Sequence, residues 1–526
     1  MEIIKKLDST KDKSYKELID RLSSDERYDL SNGQVKLAGD FYKNQFRIAL
    51  QNYDVINPES IEEYIALGGY YSLYKAIYKM TPQEIIDEIK SSNLRGRGGA
   101  GFPTGVKMEG AFLQDTDVKY IICNADEGDP GAYMDRSILE GDPHCIIEGM
   151  AVMARAIGSQ KGYVYVRAEY PKAVKMLQHA IEVAKEWNFL GDNIMGSDFS
   201  FDLEIRLGAG AFVCGEGTAL IQSIEGKRGM PQAKVYRTNE RGLYDKPTVL
   251  NNVETIANIP HIINKGAKWF KSIGTEDSPG TKVFALVGKV QNAGLVEVPM
   301  GMTINEIVND IGGGAIEGHT TKSVQTGGPS GGCIPVELFD TPVDFISLEK
   351  IGSIMGSGGM VVMDETDCMV DIAKFFMKFT VDESCGKCTP CRIGNMRVLE
   401  LLEKITSGQG EMEDLNKLDD LCEVITESSL CGLGKTATTP VISSMHYFKD
   451  EYLDHIQNHK CVASVCKELL DYVINERCVG CGICSRNCPT DAIVGERRKV
   501  HSIDLAKCIK CNACYEVCPV SAVEIR

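Results

Sequence analysis

Twenty cysteines lie unevenly along 526 residues, and their spacing constrains the fold more than any other feature. None precedes Cys123, five stand singly up to Cys368, and the other fifteen fall between Cys385 and Cys518, mostly in C-x-x-C groups. The start, MEIIKKLDSTKDKS, has no apolar core segment, so it does not read as a secretory leader, and a disulfide framework is a poor reading. Thiolates at this spacing are metal or iron–sulfur ligands. Cys478-x2-Cys481-x2-Cys484-x3-Cys488-Pro489 is followed by Cys508-x2-Cys511-x2-Cys514-x3-Cys518-Pro519. Three sulfurs on a tight turn reach three corners of a cubane, and in a two-cluster module the fourth comes from the other motif. Cys478, Cys481, Cys484 and Cys518 are therefore expected on one [4Fe–4S] cluster, and Cys508, Cys511, Cys514 and Cys488 on a second. Zinc would need paired ligands and leaves the x3-Cys-Pro unexplained.

This segment resembles a bacterial two-cluster ferredoxin fused to a larger chain. A third C-x2-C-x2-C group, Cys385, Cys388 and Cys391, lacks its own fourth cysteine. Cys431 in SLCGLGKTA is the preferred partner, because its glycine neighbours allow close backbone approach. Cys422, in the apolar LDDLCEVI, reads as a buried structural thiol.

The length suggests three or four domains at roughly 150 residues each. A net charge of −17 argues against nucleic acid as a partner. No apolar run approaches the ~20 residues of a membrane helix, and a cytoplasmic location is expected. The pattern predicts an α/β chain in five parts: helices over 1–90, short apolar runs alternating with helical stretches over 91–275, a small strand-rich module with one helix over 276–350, helices carrying the first cysteine triplet over 351–468, and the ferredoxin-like segment over 469–526.

Residues 94–107, LRGRGGAGFPTGVK, are a phosphate-loop candidate: glycines bare the backbone N–H groups, and Arg95, Arg97 and Lys107 add positive charge. Then come IICNADEGDPG, GAGAFVCGEGTALIQSIEGKRGMPQ and KPTVLNNVETIANIP. With ESCGKCTPCRIG and SLCGLGKT, these segments resemble the NADH-oxidising flavoprotein subunit of respiratory complex I and its soluble hydrogenase, formate dehydrogenase and electron-bifurcating relatives. The resemblance implies that 91–275 form a Rossmann-like FMN and NAD(P) domain, 276–350 a ubiquitin-like module and 351–468 a helical bundle with one [4Fe–4S] cluster. It also implies that Gly96, Arg97, Gly98, Gly99, Ala100 and Gly101 surround FMN and that Lys107 partners its phosphate. It puts Phe102 near the adenine. Asn124, Asp126, Glu127 and Asp129 form an acidic turn, Gly215 and Glu216 a flavin-side turn, and Asn251, Asn252 and Thr255 contact FMN. Glu127 and Glu216 are the candidate catalytic carboxylates, acting by position and charge. The chain departs from the family pattern at Phe212, at Gly217, at Met108-Glu109-Gly110, and over Gln232–Arg237, all on the nicotinamide-nucleotide side. Lys234, Arg237 and Arg241 there could meet a 2′-phosphate, so NADP(H) is a candidate beside NAD(H).

FMN converts hydride pairs to single electrons, and three [4Fe–4S] clusters would carry them. The expected protein is a flavin–nucleotide subunit of a multi-subunit NAD(P)H oxidoreductase, electron-bifurcating with ferredoxin. Its expected partners include a small thioredoxin-like [2Fe–2S] subunit and a further catalytic or cluster-bearing subunit. The alternatives are a non-bifurcating diaphorase subunit and a non-enzymatic electron-transfer scaffold. Finally, Cys461, Cys466, His455, His459 and His501 are candidates for a structural zinc site.

Overall fold

The computed structural model describes residues 2–30, 35–233 and 235–525. Short apolar runs form a four-stranded parallel sheet: β1 (Tyr120–Ala125), β2 (Lys161–Arg167), β3 (Asp202–Gly208) and β4 (Thr248–Asn252), in spatial order β3-β2-β1-β4. The interior of β2 is buried, as expected of a parallel strand covered by helices on both faces. The strand order reverses between β1 and β4, and in such sheets ligands bind beyond the carboxyl ends of the strands at that switch. Asn124–Glu127 leave the end of β1 and Asn251–Asn252 end β4, so topology brings the acidic turn and the NNVET segment to one crevice.

The helices that frame this domain include α1 (Glu2–Leu22), α2 (Thr104–Phe112), α3 (Met134–Gly141), α4 (Pro143–Ile157), α5 (Gly217–Ile224) and α6 (Val253–Lys265). Every residue of α4 except Arg155 is buried, so this helix is the spine of the core. Its one acid, Glu148, accepts from Tyr64 Oη, from the Tyr70, Ser72 and Leu73 amides, and from Ser72 Oγ. Burial raises its pKa, and those five donors offset the cost of desolvating a carboxylate. The N-terminal helical segment is thereby fastened to the flavin domain.

A second, mixed sheet follows: β5 (Thr281–Gly288), β6 (Gly294–Pro299), β7 (Thr321–Thr326), β8 (Cys333–Pro335) and β9 (Gly359–Asp364), ordered β8-β7-β9-β5-β6. Its middle strand, β9, lies beyond the 350 boundary read from the sequence. GMVVMD pairs parallel to β5 and antiparallel to β7, a long-range choice that no local periodicity reveals. The buried Lys282 of β5 bonds Glu254 of α6, tying this sheet to the flavin domain.

The helices α7 (Met369–Asp382), α8 (Asn395–Thr406), α9 (Met412–Ser428), α10 (Thr439–Tyr447) and α11 (Lys449–Gln457) form a bundle around Val398, Leu402, Leu418 and Val441. The last module has two copies of one unit. Tyr472–Ile474 pairs antiparallel with Val523–Ile525, and Ile493–Val494 with Ser502–Ile503. No helix among the described residues is long and apolar enough to cross a membrane.

Candidate flavin, nucleotide and metal sites

The glycine loop leads into α2, whose first-turn N–H groups suit an anion. Gly96 N donates to Phe102 O (2.9 Å), closing the loop. Gly99 has φ +108°, and a Cβ there would lie 3.2 Å from the Gly356 backbone. The two loop arginines do not serve as expected. Arg97 is fully buried, and its guanidinium donates to the carbonyls of Arg95, Pro279 and Thr281. Burial pushes its pKa down to about 10. Arg95 donates to Gly101 O and stacks over Phe345. Both side chains brace the loop from behind, and Lys107 is the loop cation that faces β4, donating to Leu250 O (3.0 Å) and Asn251 Oδ1 (3.1 Å).

The NNVET segment holds the loop from the other side. Asn252 caps α6, accepting from Glu254 N and Thr255 N, and its Nδ2 donates to Asp135. Thr255 Oγ1 accepts from Arg97 N at 2.8 Å. Asn124 Nδ2 donates to Gly215 O, and its Oδ1 accepts from Asp126 N, so the acidic and flavin-side turns are one unit. Neither candidate catalytic carboxylate points free into this crevice. Glu127 accepts from Asp135 N, Arg136 N and Tyr170 Oη, at the start of α3. Glu216 caps α5, accepting from Thr218 and Ala219. The helix amides explain this: Asp and Glu are favoured at helix N-termini. Asp129 accepts from Ser357 Oγ, and burial pushes its pKa to about 6.

Some polar atoms are still unpaired. Asn251 Nδ2, Thr104 Oγ1 and both carboxylate oxygens of Asp126 are buried without a partner among the described residues. Desolvation pushes Asp126 up to about 7. Buried polar atoms need partners. A phosphate near α2 with Lys107, and a polar ring edge near Asp126 and Asn251, would fit this donor set, so the residues suit FMN.

On the nucleotide side, Phe102 and Arg237 are exposed, and Lys234 lies outside the described residues. Arg241 covers the Tyr236 ring at 4.3 Å. Of the departures from the family pattern, one is demanded by packing and one is not. A Cβ on Gly110 would lie 2.1 Å from Asn239 Nδ2, which donates to Lys107 O. A Cβ on Gly217 meets nothing closer than 3.7 Å, so packing does not demand that glycine.

Cys385, Cys388, Cys391 and Cys431 line one cavity with Val213, and Cys422 is packed into the bundle core instead. Burial and the three neighbouring thiols push Cys391 up to about 11. The cavity adjoins the flavin-side turn: Phe212 N donates to Glu383 Oε2 (2.8 Å), and the Phe212 ring meets Phe379 edge-on. In the last module, Cys488 lines a cavity with Cys508, Cys511 and Cys514. The thiols of Cys478, Cys481 and Cys518 act together with burial to raise Cys484. The structure thus groups each fourth cysteine with the other motif.

The zinc candidates divide. Cys461, Cys466 and His455 converge with Cys368, all four buried, with ligand atoms within 4.8 Å of one another. His455 Nδ1 lies 2.7 Å from Glu451 O, which fixes the ring so that Nε2 faces Cys368 Sγ (3.4 Å) and Cys466 Sγ (3.2 Å). His459 and His501 are not in the group. α11 ends at Gln457, so His459 falls in a left-handed turn (φ 47°) beside Gly408 rather than one helical turn from His455. His501 is buried in the ferredoxin-like module, with Nδ1 on Lys499 O. Nothing in the sequence singles out Cys368, a lone cysteine far from the others. Only the fold brings the start of α7 to the end of α11.

The family models agree with this arrangement. The Nuo51 FMN-binding domain matches residues 89–261, the SLBB domain 283–334, the NADH-ubiquinone oxidoreductase-F iron-sulfur binding region 371–455, and the 4Fe-4S dicluster domain 471–525. The HndC subunit of the NADP-reducing hydrogenase of Solidesulfovibrio fructosivorans is 55% identical over 460 residues, covering 87% of this chain and 94% of that one. This chain belongs to the family of FMN- and iron–sulfur-binding subunits of NAD(P)H oxidoreductases. The F-type subunit of the NADH-quinone oxidoreductase of Aquifex aeolicus is 44% identical, covering 75% of this chain and 90% of that one. The crystal structure of an NAD+-reducing [NiFe]-hydrogenase in the H2-reduced state superposes with TM-score 0.69 at 34% identity, covering 80% of this chain and 68% of that one. As a family member, the chain is an NAD(P)H-dependent flavin and iron–sulfur oxidoreductase subunit.

Proposed function

We propose that this chain is the nucleotide-oxidising subunit of a multi-subunit, electron-bifurcating complex that exchanges electrons among NAD(P)H, ferredoxin and a further cluster-bearing subunit. One observation carries the reading: the four-cysteine cavity of Cys385, Cys388, Cys391 and Cys431 shares Val213 with the turn that leads to the flavin crevice. A one-electron outlet therefore sits against the site of two-electron exchange. FMN, when bound, supplies the conversion between hydride and single electrons. The chain's own residues hold the reactants. Lys107 and the α2 amides bind phosphate, and Asn251 and Asp126 meet the ring edge. Glu127 and Glu216 hold the two turns by capping α3 and α5. Cys478–Cys518 add two further [4Fe–4S] sites in the ferredoxin-like module, which supports ferredoxin as a partner. Cys368, His455, Cys461 and Cys466 would bind one structural zinc.

NADP(H) use rests on the exposed Arg237 and Arg241 and on the likeness to an NADP-reducing relative. The iron-loaded chain is expected to hold one FMN and about twelve irons, four per cubane, and to reduce a viologen dye with NADPH or NADH. With the full complex, the two electrons of each NAD(P)H should divide, one reaching ferredoxin only while the other reaches a higher-potential acceptor on the further subunit. Independent reduction of each acceptor would reject bifurcation and leave a simple diaphorase. Arg237→Ala should lower kcat/KM for NADPH about tenfold relative to NADH, near 1.4 kcal/mol. Equal effects on both nucleotides would show that Arg237 does not read the 2′-phosphate.

A further inference from the structure

A large cavity lies away from the flavin crevice, between the N-terminal segment and the far end of α6, about 930 Å³ in volume. That end is ~20 Å along the helix from Asn252, at 1.5 Å per residue. Cations come from every side of it: Lys11 on α1, Lys36, Lys43 and Arg47 on the connection that follows, and Lys265 on the last turn of α6. Only Asp29 and Asp40 oppose them in the lining. Among the described residues none of these five cations forms an ion pair with a carboxylate. In a chain of net charge −17 this local excess is not the general field of the molecule.

Arg47 is the decisive side chain. Its Nε is sealed from solvent with no acceptor among the described residues. Its guanidinium is flanked by the Tyr42 and Tyr53 rings, with centroids 5.8 and 5.9 Å away. Partial burial of a guanidinium without an anion lowers its pKa, and the carboxylates that most offset this, Glu297 and Asp54, do so without forming an ion pair. Glu297 is already committed to Ala49 N, Leu50 N and Thr281 Oγ1. An anion in the cleft would give Arg47 the partner that the described residues do not. Flat walls stand beside the cations: Trp269, Tyr15 and Tyr42 line the same cavity. A guanidinium fork with several lysines suits phosphate oxygens, and aromatic walls suit a base.

We propose that this cleft is a second nucleotide site, separate from the flavin crevice, that binds a nucleoside polyphosphate between Arg47 and Trp269. The volume is within the range of small-molecule sites.

The chain has two tryptophans, so Trp187→Phe leaves Trp269 as the only indole reporter. The FMN-loaded, iron-loaded chain is titrated with ATP at saturating NAD+, which occupies the flavin-side nucleotide site. Saturable quenching of Trp269 is expected, with inorganic triphosphate and adenosine each binding more weakly than ATP. Arg47→Ala should weaken ATP at least tenfold while FMN content and NADH-dependent dye reduction hold. If Arg47→Ala does not fold, Lys36→Glu with Lys43→Glu on the rim must give the same direction of change. No quenching beyond a sodium chloride control of equal ionic strength would overturn the proposal. Triphosphate binding as tightly as ATP would overturn its nucleoside part. Binding of a polyglutamate peptide without ATP binding would reassign the cleft to an acidic protein segment.

Discussion

At the scale of single residues, the flavin crevice separates cations that bind from cations that brace. Lys107 faces Asn251 Oδ1 and the buried Asn251 Nδ2, which has no partner among the described residues. Arg97 spends its donors on three carbonyls. Lys107→Ala should therefore weaken FMN retention by tenfold to about a hundredfold, since a hydrogen bond to a charged group is worth roughly 1.5–3 kcal/mol. Arg97→Ala should instead lower the melting temperature of the flavin-free chain, because it orphans buried carbonyls. Release of FMN with unchanged apo stability in Arg97→Ala would contradict that division. Asp126 offers a second test. Its pKa rises from the ordinary carboxylate value to about 7, mainly through desolvation, against the pull of Arg167. The folded apo chain then holds a proton that the unfolded chain gives up. Its contribution to stability is full below about pH 4 and is lost as pH rises through about 7. Asp126→Asn should flatten that fall, leaving the variant the more stable of the two apo chains at pH 8, by roughly 4 kcal/mol at most. Parallel stability curves for the two, measured by urea unfolding from pH 4 to 8, would mean that Asp126 ionises normally.

At the scale of elements, the cysteine motifs are legible in the sequence because ligand spacing is local chemistry. Three sulfurs two residues apart need only a turn, and the glycines after Cys431 signal a close approach. The preference for Cys431 over Cys422 can be read in metal content. Cys431→Ala should cost the iron-loaded chain about four irons and leave the ferredoxin-like pair. Cys422→Ala should keep all iron and lose only packing, about 1–2 kcal/mol for a small buried side chain. Iron loss in Cys422→Ala alone would reverse the assignment. The glycine loop is legible as an anion cradle, but the inward turn of Arg97 is not. That turn depends on carbonyls of Pro279 and Thr281, about 180 residues away in sequence, which no window around the loop contains. The same reason hides β9: an apolar MVVMD is equally at home in a bundle, and only pairing with β5 and β7 decides. His459 leaves the metal group because α11 stops before reaching it, and helix ends are the least legible feature of a sequence.

At the scale of the whole molecule, the Cys368–His455–Cys461–Cys466 group joins parts that sequence keeps apart. Cys368 starts α7, His455 is on α11, and Cys461 and Cys466 lie on the length of chain that leads to Tyr472 in the ferredoxin-like module. Between Cys466 and that module, Leu469 packs into the bundle core and Lys510 Nζ reaches back to Glu468 O. These contacts are few, so a metal bound here would carry much of the mechanical link between bundle and module. A three-cysteine, one-histidine set suits zinc, whose binding to a structural site is worth on the order of 10 kcal/mol at neutral pH. Elemental analysis of the iron-loaded chain should find one zinc beside its iron. Cys368→Ser should lower zinc and open the segment 458–471 to proteolysis. FMN and the cluster at Cys385, Cys388, Cys391 and Cys431 should survive, because neither contacts the group. The ferredoxin-like clusters should then still be reducible by dithionite in the variant, while their reduction by NAD(P)H slows, since electron transfer depends on the distance that the clamp holds. Zinc-free protein with full iron and an intact, protease-resistant segment would show that the four side chains pack without a metal.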